Sequence, residues 1–251
     1  MKKILTYTIM AFLALTWWAC TKTDNYPAPS ATITGSTIDE GTGATVQTEI
    51  GGGGTRVKLL ETSYDSAPVP LYFQSMQDGT FNNTKVFSAT YKVTVEGPFV
   101  PLITTDNNGN TVSDSSQTIQ LKNTATLHFN VQPFLRVQIV GNPVINADTT
   151  VSIQVVVTRG TANPAYQQDL TDLNLYVSNT KYDGSNNYDP RYSKLTAYSG
   201  SAGTALLGQT LTLRTTGGAL PAQDVYFRVG ARINAGLNEY NYSAPVSIVY
   251  P

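Results

Sequence analysis

The amino-acid sequence predicts an all-β protein built as two tandem β-sandwiches behind an export signal. Short runs alternate apolar and polar residues, the pattern of half-buried strands. No window longer than about ten residues shows convincing helical spacing. Gly, Pro and Asp-Gly punctuate the runs at short intervals, as they do between the strands of sandwiches.

The chain opens on Met1-Lys2-Lys3, a basic start to an uncharged run from Ile4 to Ala19. A spanning helix needs ~20 apolar residues, so the run is short for one. Basic start, apolar middle and a small residue at Ala19 follow the layout of a secretory signal. The single cysteine of the chain, Cys20, comes directly after Ala19. That placement predicts a bacterial lipoprotein signal over 1–19, cleaved before Cys20, with acylation of Cys20 as the membrane anchor. Trp17 and Trp18 stand where such signals more often carry Leu, Ser or Ala. Residues 20–30 then read as a lipidated tether, polar and broken by Pro27 and Pro29.

Strands follow in order. Tyr91, Val93 and Val95 share one face of Tyr91–Glu96, and Leu127, Phe129 and Val131 one face of Leu127–Val131. Val151 to Val157, Leu173 to Val177, Leu211 to Leu213 and Val225 to Ile233 repeat the alternation. Each suits a strand of an antiparallel sheet with one buried face. Gln167 to Asp172 has room for one helical turn. Gly51–Gly54 reads as a flexible hairpin loop and Thr104–Gln117 as a long polar loop. Pro133 ends one strand before a fresh run at Arg136, so the sandwiches are expected at 31–135 and 136–251, each of a common size for the class.

Composition narrows the chemistry. Sixteen basic residues against 17 acidic ones give a net charge of −1, which excludes a strongly basic nucleic-acid binder. One Cys and one His cannot supply a zinc site. His128 alternates with Leu127 and Phe129, placing it opposite the core, and no Gly-x-Ser-x-Gly elbow accompanies it. Asp106-Asn107-Asn108-Gly109-Asn110 is oxygen-rich like a calcium loop but lacks the later bidentate acid, and reads as a turn. Gly51–Gly54 leads into Thr55-Arg56 rather than a phosphate-binding helix. No cofactor, no metal and no catalytic residue is expected.

The first half carries Ile33-Thr34-Gly35, Asp39, Thr42-Gly43, Arg56-Val57-Lys58-Leu59, Asp78-Gly79-Thr80-Phe81, Phe87 and Tyr91-Lys92-Val93. This string resembles the carboxypeptidase-regulatory-like, or transthyretin-like, β-sandwich. Val46-Gln47-Thr48-Glu49, Gly97-Pro98-Phe99 and Phe129 through Leu135 extend the resemblance to a Bacteroidetes lipoprotein family of unknown function. That family pairs such a sandwich with an immunoglobulin-like or fibronectin-like one and is often encoded beside SusC/SusD-type glycan-uptake pairs. The resemblance carries over no catalytic or binding residue.

One stretch has the composition of a recognition surface. Lys181–Gly200 places Tyr182, Tyr188, Tyr192 and Tyr198 among Asp183, Asn186, Asn187, Asp189 and Arg191. Tyrosine rings can cover the C–H faces of sugars while Asp, Asn and Arg bind their hydroxyl edges. The same residues suit a protein partner, and a loop folded back over the sandwich edge would also use them. The candidate ligand-binding set is Tyr182, Asp183, Tyr188, Asp189, Arg191 and Tyr192. The resulting expectation is a non-catalytic lipoprotein of the outer membrane, at the cell surface, that binds or presents glycans for a SusC/SusD-type system. A structural spacer, a protein-docking lipoprotein and an adhesin or fimbria-associated subunit are the alternatives.

Overall fold

The computed structural model describes residues 27–64 and 67–251. The expected export signal, Cys20 and the start of the expected tether lie outside the described residues.

The first sandwich begins with β1 (Ala31–Asp39) and continues through β2 (Arg56–Glu61), β3 (Leu71–Gln74), β4 (Thr80–Val86) and β5 (Ala89–Glu96). A hairpin of β6 (Ile103–Thr105) and β7 (Thr111–Asp114) precedes β8 (Gln117–Leu121) and β9 (Thr124–Val131). One sheet runs β4-β1-β9 and the other β3-β2-β5-β8. Alternation governs what is buried: Tyr91, Val93 and Val95 point inward from β5, and Leu127, Phe129 and Val131 from β9. They close a core with Ile33, Val57, Leu59 and Phe81. His128, out of phase with that set, is exposed and hydrogen-bonded to Ser36 Oγ at 2.9 Å.

The second sandwich comprises β10 (Leu135–Ile145), β11 (Val151–Arg159), β12 (Leu170–Ser178), β13 (Thr210–Arg214), β14 (Asp224–Ile233), β15 (Asn241–Tyr242) and β16 (Val246–Val249). Its sheets are β10-β11-β13 and β12-β14, with β15 and β16 following one another along the far edge of β14. Val151, Ile153, Val155 and Val157 face Leu173, Leu175, Phe227 and Val229 across this core. α1 (Ser201–Thr204) is one turn.

Four details depart from the sequence reading. β9 lies parallel to β1 over eight paired residues, so among the described residues one strand pairing is parallel where the rest are antiparallel; alternation reports which face is buried but not strand direction. The helical turn sits at Pro164–Tyr166, ahead of Gln167, because Pro164 fixes φ at the first position and Asn163 caps the Ala165 amide at 3.1 Å. Gly51–Gly53 form a short 3₁₀ turn instead of an open loop. The polar Thr104–Gln117 segment is mostly the β6–β7 hairpin, and Asp106 spends its carboxylate on the amides of Asn108 and Asn110 and on Asn110 Nδ2.

Ile153 is fully enclosed at the centre of the second core. Ile153→Ala is expected to cost about 2–5 kcal/mol of stability, read as a fall in the urea midpoint at unchanged m-value.

Candidate functional site

β12 and β14 break the one-buried-face pattern: nearly every residue from Leu173 to Ser178 and from Phe227 to Ala231 is buried. The inward set belongs to the core. The outward set is Asn174, Tyr176 and Ser178 beside Gly230, Arg228 and Tyr226 in register. A polar and aromatic face of this kind is buried only if something with matching donors and acceptors covers it. Two segments do so: the loop after β12, and the Thr48–Ile50 stretch of the first domain.

Arg228 is at the centre and fully buried. Its Nε donates to the Ser243 carbonyl at 2.9 Å, Nη1 to the Asp183 carbonyl at 3.1 Å and Nη2 to the Thr48 carbonyl at 2.9 Å. Its guanidinium carbon lies 4.3 Å from the Tyr242 ring centroid. Burial lowers its pKa to about 10, so it stays protonated at neutral pH. Glu49 reaches across from the first domain. Its Oε2 accepts from Tyr242 Oη at 2.7 Å, Ser185 Oγ at 3.0 Å and the Asn186 amide at 3.4 Å. Gly184 permits this approach, since a Cβ there would lie 2.4 Å from Glu49 Oε2. Gly230 has a matching role under the rings of Tyr176 and Tyr242, each 2.9 Å from a would-be Cβ. Tyr176 packs against Tyr188, Tyr240 and Tyr242 with centroid separations of 5.4, 6.3 and 6.0 Å.

The rest of the tyrosine-rich loop runs beside β12 as an irregular strand, with Leu175 and Lys194 exchanging backbone hydrogen bonds of 2.8 and 2.9 Å. At its start a cleft of about 420 Å3 opens to solvent. Val177, Leu220 and Val225 form the floor, and Tyr188, Asp189, Arg191 and Tyr192 the rim. Asp189 is anchored by its amide to the Val177 carbonyl at 2.7 Å and accepts Ser193's amide at 3.0 Å. Arg191 grips the Asp189 carboxylate at both oxygens, Nη2 to Oδ2 at 2.7 Å and Nε to Oδ1 at 3.0 Å. Its guanidinium carbon stands 5.1 Å from the Tyr192 centroid. The Arg191 hydrogen bonds pull the Asp189 pKa down, so the rim presents an ion pair flanked by two rings.

Four of the six predicted ligand-binding residues therefore meet at one cleft. The other two do not. Tyr182 lines a separate hollow against Gln47, Met76 and Asp78 of the first domain. Asp183 is fully buried beside Arg228, because the Gly184–Asn187 turn tucks against Glu49 and carries Asp183 inward; it is not available to a ligand at the surface. Both its carboxylate oxygens lack a hydrogen-bond partner among the described residues. Burial pushes its pKa up to about 7, the Arg228 charge opposing and the Glu49 charge adding to the shift. Glu239, also between the domains, is pushed up to about 7 by burial.

Sequence reasoning missed Glu49, Arg228, Tyr176 and Tyr242. The available signal was an arginine in the polar phase of a strand otherwise rich in Val, Phe and Ala, two residues from a glycine. Tyr240 and Tyr242 read as ordinary strand positions, and Tyr242 is one, but its ring also closes the interface.

A family model described as the N-terminal domain of a protein of unknown function, DUF3823, matches residues 31–132. A crystal structure of a DUF3823 family protein from Bacteroides uniformis shares 34% identity, covers 89% of this chain and 100% of its own, and superposes with a TM-score of 0.81. The chain belongs to the DUF3823 family. This is a Bacteroidetes family of unknown function, as the first-half motifs suggested. A candidate carbohydrate-binding protein from Bacteroides uniformis shares the fold at 22% identity and a TM-score of 0.64, with 88% and 99% of the two chains covered. A DUF3823 family protein from Parabacteroides merdae does so at 20% identity and a TM-score of 0.65, with 88% and 100% covered. No curated protein matches.

The two raised carboxylic acids set a pH dependence. The folded protein holds their protons where the unfolded chain has lost them, so their stabilising contribution is complete below the ordinary carboxylate range. It declines as pH rises from about 4 towards about 7. Asp39 and Asp189 have lowered values, so their contribution fails only on the acid side of that window. Urea titrations across the window are expected to show wild-type stability falling with pH, and Asp183→Asn to flatten the slope.

Proposed function

We propose that this DUF3823 protein is a non-catalytic, lipid-anchored glycan-binding protein of the outer membrane, displayed at the cell surface and serving a SusC/SusD-type uptake system. The observation that carries the binding part is the rim of the tyrosine cleft. Tyr188 and Tyr192 supply faces for sugar C–H groups, and the Asp189–Arg191 pair supplies fixed acceptors and donors for hydroxyls. A volume of about 420 Å3 falls at the small end of ligand sites and suits one or two sugar units. The fold shared with a Bacteroides uniformis candidate carbohydrate-binding protein supports the same direction. The anchor rests on Cys20 at the end of the signal core, and the uptake partner on the family resemblance.

A second reading has its own observation. Glu49 and Arg228 fasten the two sandwiches into one body, as a spacer or docking arm would require. A glycan screen separates the two, run with and without calcium. Binding of a defined oligosaccharide that falls at least about tenfold in both Tyr188→Ala and Arg191→Ala, by calorimetry, is the expected result. Affinity untouched by either variant removes the cleft from the reading. No binding over a broad panel, with co-purification of outer-membrane proteins, favours the spacer.

A further inference from the structure

A second crevice opens where the four-stranded sheet of the first domain meets the loop between β14 and β15. It encloses about 420 Å3. Past Arg56 and Leu237, which line both spaces, lies a smaller one of about 350 Å3 that Ser185, Asn238 and Tyr240 help to line. One wall is charged. Arg56 Nη2 lies 2.6 Å and Lys58 Nζ 3.3 Å from the carboxylate of Glu96, so one anion serves two cations. These side chains keep only 26–34% of their exposure. Arg56 Nη1 donates to no group among the described residues, and Tyr72 stacks on the guanidinium at 4.3 Å, holding its plane. Leu102, Ile103 and Leu237 supply an apolar wall.

Glu239 enters from the second domain. It is nine-tenths buried, and its Oε2 has no hydrogen-bond partner among the described residues. Arg56 and Glu96 both act on it electrostatically, and Arg232 and Tyr240 line the same space. Arg232 is itself engaged by Asp172 at 2.8 Å.

We infer that this interdomain crevice binds a hexuronic-acid unit of an acidic glycan, its carboxylate on Arg56 and Lys58 and its C–H face on Leu102, Ile103 and Leu237. The unequal charge count selects an anion, and the planar, pre-oriented guanidinium selects a carboxylate. Hydroxyl and amide groups of Ser185, Asn238 and Tyr240 in the adjoining space suit a polyol. A fatty acid would need apolar walls throughout, which Arg56, Lys58 and Asn238 deny it. This site lies apart from the tyrosine cleft and does not need that cleft to bind. Glu239 adds a control. While it holds its proton the Arg56, Lys58, Glu96 and Glu239 group carries one net positive charge. That charge is cancelled as Glu239 ionises near pH 7, whereas a uronate stays ionised throughout.

Calorimetry with trigalacturonate and with neutral galactotriose, at low salt and at about pH 6 and about pH 8, tests this. The acidic trimer is expected to bind at least about tenfold more tightly than the neutral one, and more tightly at the lower pH. Arg56→Gln and Lys58→Gln should each weaken it by about fivefold or more; Lys58→Gln, on a half-buried strand face, keeps the test alive if the arginine variant does not fold. Glu239→Gln should erase the pH difference. Tyr188→Ala should leave uronate affinity unchanged, even if it abolishes binding of a neutral glycan at the cleft. Equal affinity for the two trimers overturns the inference, as does indifference to both cation variants. So does loss of uronate binding in Tyr188→Ala, or no binding of galacturonate, glucuronate and mannuronate oligomers alike.

Discussion

The guanidinium of Arg228 reaches no carboxylate with its hydrogen bonds. All three go to carbonyl oxygens, of Thr48, Asp183 and Ser243, which belong to the first domain, the tyrosine-rich loop and the strand edge of the second. A buried cation is costly unless donors and charge are both matched. Here the donors are matched by carbonyls and the charge by the Tyr242 ring face, with the Asp183 and Glu49 side chains close by. Removing the guanidinium would leave three buried carbonyls unpaired, at about 1–3 kcal/mol each. The seating of the first domain, the path of the loop and the order of β15 all meet at this one side chain.

That arrangement explains why the second domain buries both faces of the β12–β14 pair. An inward face of Val, Leu and Phe drives the sandwich together. An outward face of Asn174, Tyr176, Arg228 and Tyr242 would be soluble if left bare, so its burial confers specificity more than adhesion. It fixes where the first domain sits, because from that domain the Thr48 carbonyl accepts from Arg228 and Glu49 accepts from Tyr242. Other contacts repeat the theme at the margins. Asn241 accepts the Leu135 amide at 3.0 Å and donates to the Pro98 carbonyl at 2.9 Å, and Arg136 grips Asp39 with Nη2 to Oδ1 at 2.7 Å.

The cores were legible in the sequence because alternation is a local signal. Tyr91-Lys92-Val93 and Leu127-His128-Phe129 declare their buried phase within a few residues, and burial follows it. Four members of the cleft were legible because they lie within a few residues of one another in a loop of unusual composition. Asp183 was not, since nothing in the run Tyr182-Asp183-Gly184 says that the turn folds inward; that depends on Glu49, more than 130 residues earlier. Arg228 and Glu239 were hidden for the same reason. Their environment is supplied by the other domain, and a charged residue in the polar phase of a strand looks solvent-facing until its cover is known.

The loop after β12 consequently has two parts with different physical standing. Residues 183–187 are a tenon: buried at Asp183 and Gly184, glycine-dependent and held by a carboxylate from the first domain. Residues 188–192 form the cleft's rim, with the Asp189–Arg191 pair in place before any ligand arrives. Asn187 is common to both, its amide closing the turn onto the Gly184 carbonyl and its side chain lining the cleft. Tyr188 joins them at the rim, its ring tilted against that of Tyr176 with centroids 5.4 Å apart. Pre-organisation lowers the ordering cost of binding; the second domain holds the rim itself, and the first domain adds to it by holding the start of the loop. A second sandwich separated from the first would keep its apolar core but lose the partner that holds the start of this loop. The first domain is thus part of the cleft's geometry although it contributes no atom to its rim.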